Sequence, residues 1–405
     1  HSDSTMTSLE SLGPSGLLLP ALALATLLVF DVGALAFPKE ALRHRVVGGL
    51  TLVLSSFVLV LQLLFYVNCL WPLTLFSLLL AFVITARALV ARRRRAAQEA
   101  PTEALWGSTS APGRGPFLPG FVFFLPTACV ALAALGLATL AAFWLPIWQW
   151  DSLGYHLPFV NFVLQGGGRA ELPFDVPYLS TYPRNVELLF VALRATLPDD
   201  RLVDVAQIPF GLICVVTVAA IARELGASRV HALTAASLFL TLPAVFLQLP
   251  TDYIDVATAS FFLLAAFFLI TTPTTTTLVC AGLAIGLFLG TKPSAPPTAL
   301  LLAVVLFFRA RGAGLTRLGL IAIALSGLLG LEAYVTETIR HGNPVWPATV
   351  HIGPIELPGT ISVKELLSSG AGAQKVHGSM PSRIWQSWTN LDAMPLFDMR
   401  VGGLG

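Results

Sequence analysis

The chain has 405 residues, 55% of them apolar and only 11% charged, against about 25% charged in an ordinary soluble domain. That composition excludes a soluble globular protein, and a net charge of +2 leaves no overall field to recruit nucleic acid. The four cysteines, Cys69, Cys129, Cys214 and Cys280, fall in or beside apolar segments without CxxC spacing, so they read as small core residues and not as a disulfide or metal framework.

Residues 1–5 precede Met6 and read as an appended remnant, with Met6 the expected native start and 1–16 a tail. Leu17 through Phe37 ends in "GALAF", which mimics a cleavage site, but the stretch before it lacks the basic residues of a signal peptide. It reads as a retained first helix. Further apolar segments follow at roughly 46–67, 70–91, 118–147, 202–222, 230–249, 254–271, 277–291, 295–308 and 316–339. A helix of about 20 apolar residues crosses a hydrocarbon core of ~30 Å. The expected fold is therefore an all-α polytopic membrane protein with about ten transmembrane helices. Three of them (17–91) precede a Pro-, Gly- and Ala-rich linker at 92–117, and a core spans 118–339.

Lys and Arg mark cytoplasmic loops. Lys39, Arg43 and Arg45 follow the first segment, Arg92 to Arg95 the third, Arg223 and Arg229 the fifth, and Arg309, Arg311 and Arg317 the ninth. All four loops fall on one side. The N-terminus, the loop at 148–201, the "TDYID" turn and the segment 340–405 then face the extracytoplasmic side. "GTKPSAPP" breaks the run from 277 to 308 into two pieces shorter than a full span, and merging them would violate the charge rule. Two short or re-entrant helices meeting at Lys292 and Pro293 are expected, with Lys292 near the outer interface. "TTPTTTT" at 271–277 is a low-complexity turn, and no long-period repeat of the transporter kind is present.

The outer loop at 148–201 is long for a membrane protein and holds Trp148, Trp150, Tyr155, Tyr178 and Tyr182. "NVELLFVALRATL" from Asn185 has amphipathic spacing, so the loop is expected to form a cap with interfacial helices.

Four sites in the outer connections carry chemistry. Asp151, in "WDSLGYHLP", follows an apolar run, and a carboxylate against apolar walls is suited to general-base work. The bland reading is a helix cap. Tyr155 lies four residues on and shares its helical face, with His156 offset; a hydrogen-bonded structural role is the default for the histidine. Arg184 and Asn185 open a helix where backbone N–H groups favour an anion, although Arg184 equally suits snorkelling. Asp252 and Asp255, with Tyr253 between them, stand at i and i+3, one face of a single turn; the spacing suits a metal or an aminosugar, and N-capping explains one of the two acids. Lys292, alone between Arg229 and Arg309, suits a lipid phosphate or ordinary snorkelling. A P-loop, a GxGxxG in a βαβ setting, HExxH and GxSxG are all missing, which turns the reading away from nucleotides and metalloproteolysis.

In order, "WDSLGYHLPFVNFVLQGG", "TYPRNVELL", "TDYIDVA" and "GLFLGTKPSA" resemble the GT-C membrane glycosyltransferases, over roughly 118–350. The branch they are most similar to comprises the bacterial relatives of protein O-mannosyltransferases and aminoarabinose transferases, which use polyprenyl-phosphate sugars. The resemblance implies that Asp151 activates the acceptor or binds metal, with Tyr155, His156, Tyr182 and Asn185 as a supporting polar cluster. It further implies that Asp252, Tyr253 and Asp255 form a second acidic loop and that Arg184 and Lys292 hold the carrier phosphate. No particular cofactor is implied; a divalent metal on Asp151, Asp252 and Asp255 stays open. The implied partners are a polyprenyl-phosphate-linked sugar, membrane lipids, an acceptor lipid, glycan or protein, and a membrane protein partner, in a bacterial plasma membrane. This chain has Asp151-Ser152 where the mannosyltransferases often have adjacent acids. A non-catalytic assembly subunit and a lipid or solute transporter are the alternatives that keep the same topology.

Overall fold

A computed structural model describes residues 15–97, 117–147, 149–169, 177–196, 200–362, 379 and 381–382. Trp148 and most of the linker and C-terminal segment lie outside the described residues. The ten apolar segments are predominantly helical, as their composition dictates, because backbone polar groups in hydrocarbon must be satisfied within the segment. They form α1 (Ser15–Ala36), α2 (Leu42–Tyr66), α3 (Pro72–Ala97), α4 (Phe117–Trp144), and, after the outer loop, α8 (Gln207–Glu224), α9 (Arg229–Thr241), α10 (Pro243–Phe246), α11 (Asp255–Ile270), α12 (Thr275–Leu289), α13 (Pro296–Gly312), α14 (Thr316–Gly330) and α15 (Glu332–His341).

Among the described residues four helical stretches, Leu42–Tyr66, Thr74–Arg92, Val122–Trp144 and Leu202–Glu224, are long and apolar enough to cross a bilayer. A fifth results if α14 and α15, bent by 65° at their junction, act as one span. Pro20–Ala36, Asp255–Ile270 and Thr275–Leu289 are shorter apolar helices. The protein is thus a helical membrane protein. Several expected spans are not single rods. The run at 230–249 divides where Pro243 starts α10, and that at 202–222 opens with a 3-10 segment, Asp200–Ala206. Local chemistry sets the ends: Ser228 caps α9 by accepting from the His231 N–H, Thr274 and Thr277 form a reciprocal capping box at α12, and Pro296 starts α13 where no N–H is needed.

The core centres on α11 and α12, flanked by α2, α8, α13 and α14. A Cβ at Gly282 would lie 2.1 Å from Ala322 O, so α12 and α14 meet backbone to backbone. The basic loops gather at one end of the bundle. Arg43 Nε reaches Glu224 at 2.8 Å, Arg309 donates to Thr271 O at 2.5 Å, and Phe37 stacks on Phe268.

The other end carries the outer loop. It consists of a π-helical turn (Ser152–His156), α5 (Leu157–Gly166), α6 (Pro177–Thr181) and α7 (Asn185–Arg194). Here the expectation of an interfacial helix is corrected: Asn185, Val186, Glu187, Leu188, Phe190 and Val191 are all buried, so α7 is clad by α5, α2 and the 3-10 segment and runs inside the protein. Beyond α15, strands β1 (Ala348–Ile352), β2 (Ile355–Leu357) and β3 (Ile361–Ser362) form a small sheet in the order β2-β1-β3, with Val350 opposite Leu357. Asn343 ties it down through Ala348 O (2.8 Å) and Pro358 O (2.7 Å).

Candidate functional site at the acidic end of the bundle

Two outer connections meet at one place: the turn after α4 and the segment between α10 and α11. Asp151 precedes the π-helical turn, in which the Leu157 N–H donates five residues back to Ser152 O. Single π turns occur often at functional sites because they re-aim side chains. Asp151 makes no helix cap with its side chain. It accepts a hydrogen bond from the Tyr155 hydroxyl, and its backbone N–H donates to Tyr253 Oη at 3.4 Å. The carboxylate is half-buried. Burial pushes the Tyr155 phenol up, and the negative charge of Asp151 pushes it further, so it stays a hydrogen-bond donor.

His156 turns the other way. It is 1% exposed, and its Nδ1 lies 3.1 Å from Glu187 Oε1 on α7. Its ring lies 4.2 Å from that of Tyr155 and 6.1 Å from that of Tyr253, while Tyr155 meets Tyr182 edge to face at 5.8 Å. Tyr155, Tyr182, Arg184 and Glu187 line a cavity of about 10 Å³, room for about one water.

Asp252 completes the cluster from the second connection. It is fully buried, and both carboxylate oxygens lack a hydrogen-bond partner. Burial pushes its carboxyl up, opposed by the neighbouring His156 and reinforced by Glu187. The Ser152 hydroxyl faces it at a geometry outside that of a hydrogen bond. The sequence reading omits three members of this cluster: Ser152, Glu187 and Asp204. A signal was present for the last two. Asp204 stands between Val203 and Val205, and Glu187 between Val186 and Leu188; an acid inside an apolar run needs a partner.

Other expected members lie elsewhere. Asn185 does not join the Asp151 cluster. Its N–H donates to Gly290 O (2.9 Å), its Nδ2 to Leu329 O (3.1 Å) and Leu287 O (3.3 Å), and its Oδ1 accepts from Gln62 (2.8 Å). It joins α7 to α2, α12 and α14. A Cβ at Gly290 would lie 2.2 Å from Asn185 Nδ2, so glycine is needed there. Asp252 and Asp255 do not share a face, because α11 begins only at Asp255 and helical spacing does not extend back to Asp252. Asp255 pairs instead with Lys292.

Arg184 and Lys292 come from adjoining backbone, through the Asn185 to Gly290 bond, but their side chains have separate partners. Arg184 donates to Ser180 O at 2.7 Å and lies over the Phe65 and Phe159 rings. Among the described residues no group of three His, Cys, Asp or Glu is placed to hold a metal. Asp151, Asp252 and Asp255 therefore do not converge as a ligand set.

No protein-family model matches the chain, and neither a curated protein nor a solved structure gives a significant match.

Proposed function

We propose that this helical membrane protein is an inverting glycosyltransferase, which moves a sugar from a polyprenyl-phosphate carrier to an acceptor hydroxyl at the extracytoplasmic face of a bacterial plasma membrane. The observation that carries the reading is the meeting of Asp151, Tyr155, Tyr182 and Tyr253 from two connections at the end of the bundle opposite the basic loops. Such a site has one accessible carboxylate and several aromatic hydroxyls, the kind of surface that binds a sugar and takes a proton from an alcohol.

In this mechanism the acceptor oxygen attacks the anomeric carbon while Asp151 takes its proton. The bond from that carbon to the phosphate oxygen breaks, and polyprenyl phosphate leaves with the electron pair. Tyr155, donating to Asp151, orients the carboxylate. Lys292 offsets the charge on the departing phosphate once it exchanges Asp255 for the ligand, and Arg184 adds to the positive potential alongside.

The test is release of polyprenyl phosphate by the purified protein in lipid, with a panel of polyprenyl-phosphate sugars and acceptors. Loss of a general base costs roughly 10²–10⁴-fold in rate, so Asp151→Asn should be folded and slower by that factor. Full turnover in the folded variant would overturn the role. Solute or lipid flux without covalent product would place the chain among transporters. A stable partner with product formation indifferent to Asp151→Asn would make it an assembly subunit.

A further inference from the structure

At the basic end of the bundle, away from the proposed transfer site, α13 carries a feature that neither the core nor the mechanism uses. Leu300, Leu301, Val304, Val305 and Phe308 are all exposed and recur at the spacing of one helical face. At 1.5 Å per residue they form an apolar strip about 12 Å long. Such a strip is ordinary on a helix that meets lipid, but this one ends in a concave groove of about 540 Å³, a volume in the range of ligand pockets. Val304, Val305, Phe308 and Gly312 of α13 line it, with Pro273 from the turn before α12.

Arg309 also lines the groove and supplies its charge. Its Nη2 donates to Thr271 O at 2.5 Å, which holds the guanidinium against the end of α11, while its Nε is shielded from water and has no hydrogen-bond partner. A shielded donor without an acceptor is costly. No carboxylate serves it. The sequence has no Asp or Glu between Asp255 and Glu332, although Arg309, Arg311 and Arg317 stand close together there, and none of the three forms an ion pair among the described residues. The Glu224 carboxylate at this end of the bundle is engaged by Arg43 at 2.8 Å.

We propose that this groove binds one anionic phospholipid of the leaflet at the basic end, with its phosphate on Arg309 and an acyl chain along Phe308, Val304 and Leu301. A guanidinium matches phosphate through paired N–H bonds. The apolar strip selects a lipid over a free phosphate, and the uncompensated arginines select an anionic lipid over a zwitterionic one. Gly312 belongs to the site: a Cβ there would meet nothing within 4 Å, so the glycine is not required by helix packing and its lack of a side chain keeps the groove open. The site stands whether or not the opposite end transfers a sugar.

The experiment needs no sugar donor. The intact chain is reconstituted in bilayers of equal parts phosphatidylglycerol and phosphatidylcholine and gently extracted, and its retained lipids are identified by native mass spectrometry, with thermal unfolding as the control for folding. The wild type should retain one phosphatidylglycerol in preference to phosphatidylcholine. Arg309→Gln should weaken that retention about tenfold, the effect of losing one charge-assisted contact. Gly312→Leu fills the groove and leaves every charge in place; it should displace the lipid too, and it keeps the test decisive if Arg309→Gln fails to fold. Arg311→Gln removes an exposed charge outside the groove lining and should leave retention unchanged. Equal retention of the two lipids, retention indifferent to Arg309→Gln and Gly312→Leu, or an equal loss with Arg311→Gln would overturn the site, since each places the attraction in general surface charge or elsewhere on the protein. A wild type that retains no phospholipid would also overturn it and leave the groove to a protein partner.

Discussion

Asp252 and Asp255 are three residues apart in "TDYID", and their surroundings have almost nothing in common. Asp252 is fully buried beside Asp204 and His156 with both oxygens unpartnered. The Asp255 side chain is 45% exposed and paired with Lys292. Two aspartates of identical ordinary acidity become a buried acid and a solvated half of an ion pair, because the helix begins between them. Chemistry at this end of the bundle is assigned by where a helix starts, more than by which residues are acidic.

The largest effect that tests this contrast is at Glu187. Its pairing with His156 has side chains only 6% and 2% exposed. Breaking a buried pair by removing one partner leaves the other uncompensated and costs about 3–5 kcal/mol. Glu187→Ala should therefore lower the unfolding midpoint sharply, whereas Asp255→Ala should barely move it. Equal shifts in the two variants would erase the distinction between buried and exposed regions.

Asn185 tests the frame that holds the cluster. Asn185→Ala removes the side-chain bonds to Gln62, Leu287 and Leu329 and strands buried polar groups, each worth about 1–3 kcal/mol when left unsatisfied. The expected loss is about 2–3 kcal/mol by thermal or denaturant unfolding. If Asn185 instead served the Asp151 cluster, the substitution would spare stability and abolish turnover.

Lys292 lies on the exposed side of the comparison. With side chains 28% and 45% exposed, the Lys292–Asp255 pair is screened, and exposed pairs contribute about 0–1 kcal/mol. Lys292→Met should leave the midpoint nearly unchanged while raising KM for a polyprenyl-phosphate donor about 10-fold, the effect of losing some 1.4 kcal/mol of ligand attraction. A stability loss as large as that of Glu187→Ala would show that the pair is structural.

Much of this fold was legible. The alternation of Lys and Arg predicts that the loops after α1, α8 and α13 share one end, and Arg43 with Glu224, Arg309 with Thr271 and Phe37 with Phe268 lie at that end. The break at Lys292 also falls where Pro293 and Pro296 require it, between α12 and α13. What spacing could not supply was tertiary direction. The pattern of α7 is amphipathic, yet three neighbouring elements cover it, so the same apolar face serves packing and not a lipid surface. Likewise Asn185 and Arg184 are adjacent in sequence and diverge in partners, since one side chain enters the α2, α12 and α14 junction and the other lies over Phe65 and Phe159. Glu187 and Asp204 were visible as acids in apolar runs, but only the folded chain shows that His156 and Asp252 are their partners.

The smallest effect concerns Tyr155, which sits on the boundary between the buried and accessible sides of the site. Its phenol is pushed up by burial first and by Asp151 second. A tyrosine whose folded value exceeds its unfolded one near 10 contributes stability in full below that pH and loses it as pH rises through the folded value. Between pH 10 and 11 the folded protein should therefore develop tyrosinate absorbance without a contribution from Tyr155. Wild type and Tyr155→Phe should give the same ionised-tyrosine signal in that interval, although the variant lacks one phenol. A smaller signal in Tyr155→Phe would mean that Tyr155 ionises with the exposed tyrosines. Its hydroxyl would then be no dependable donor to Asp151, and the orientation of the proposed base would have to come from another group, since Tyr253 holds the Asp151 backbone N–H and not its carboxylate.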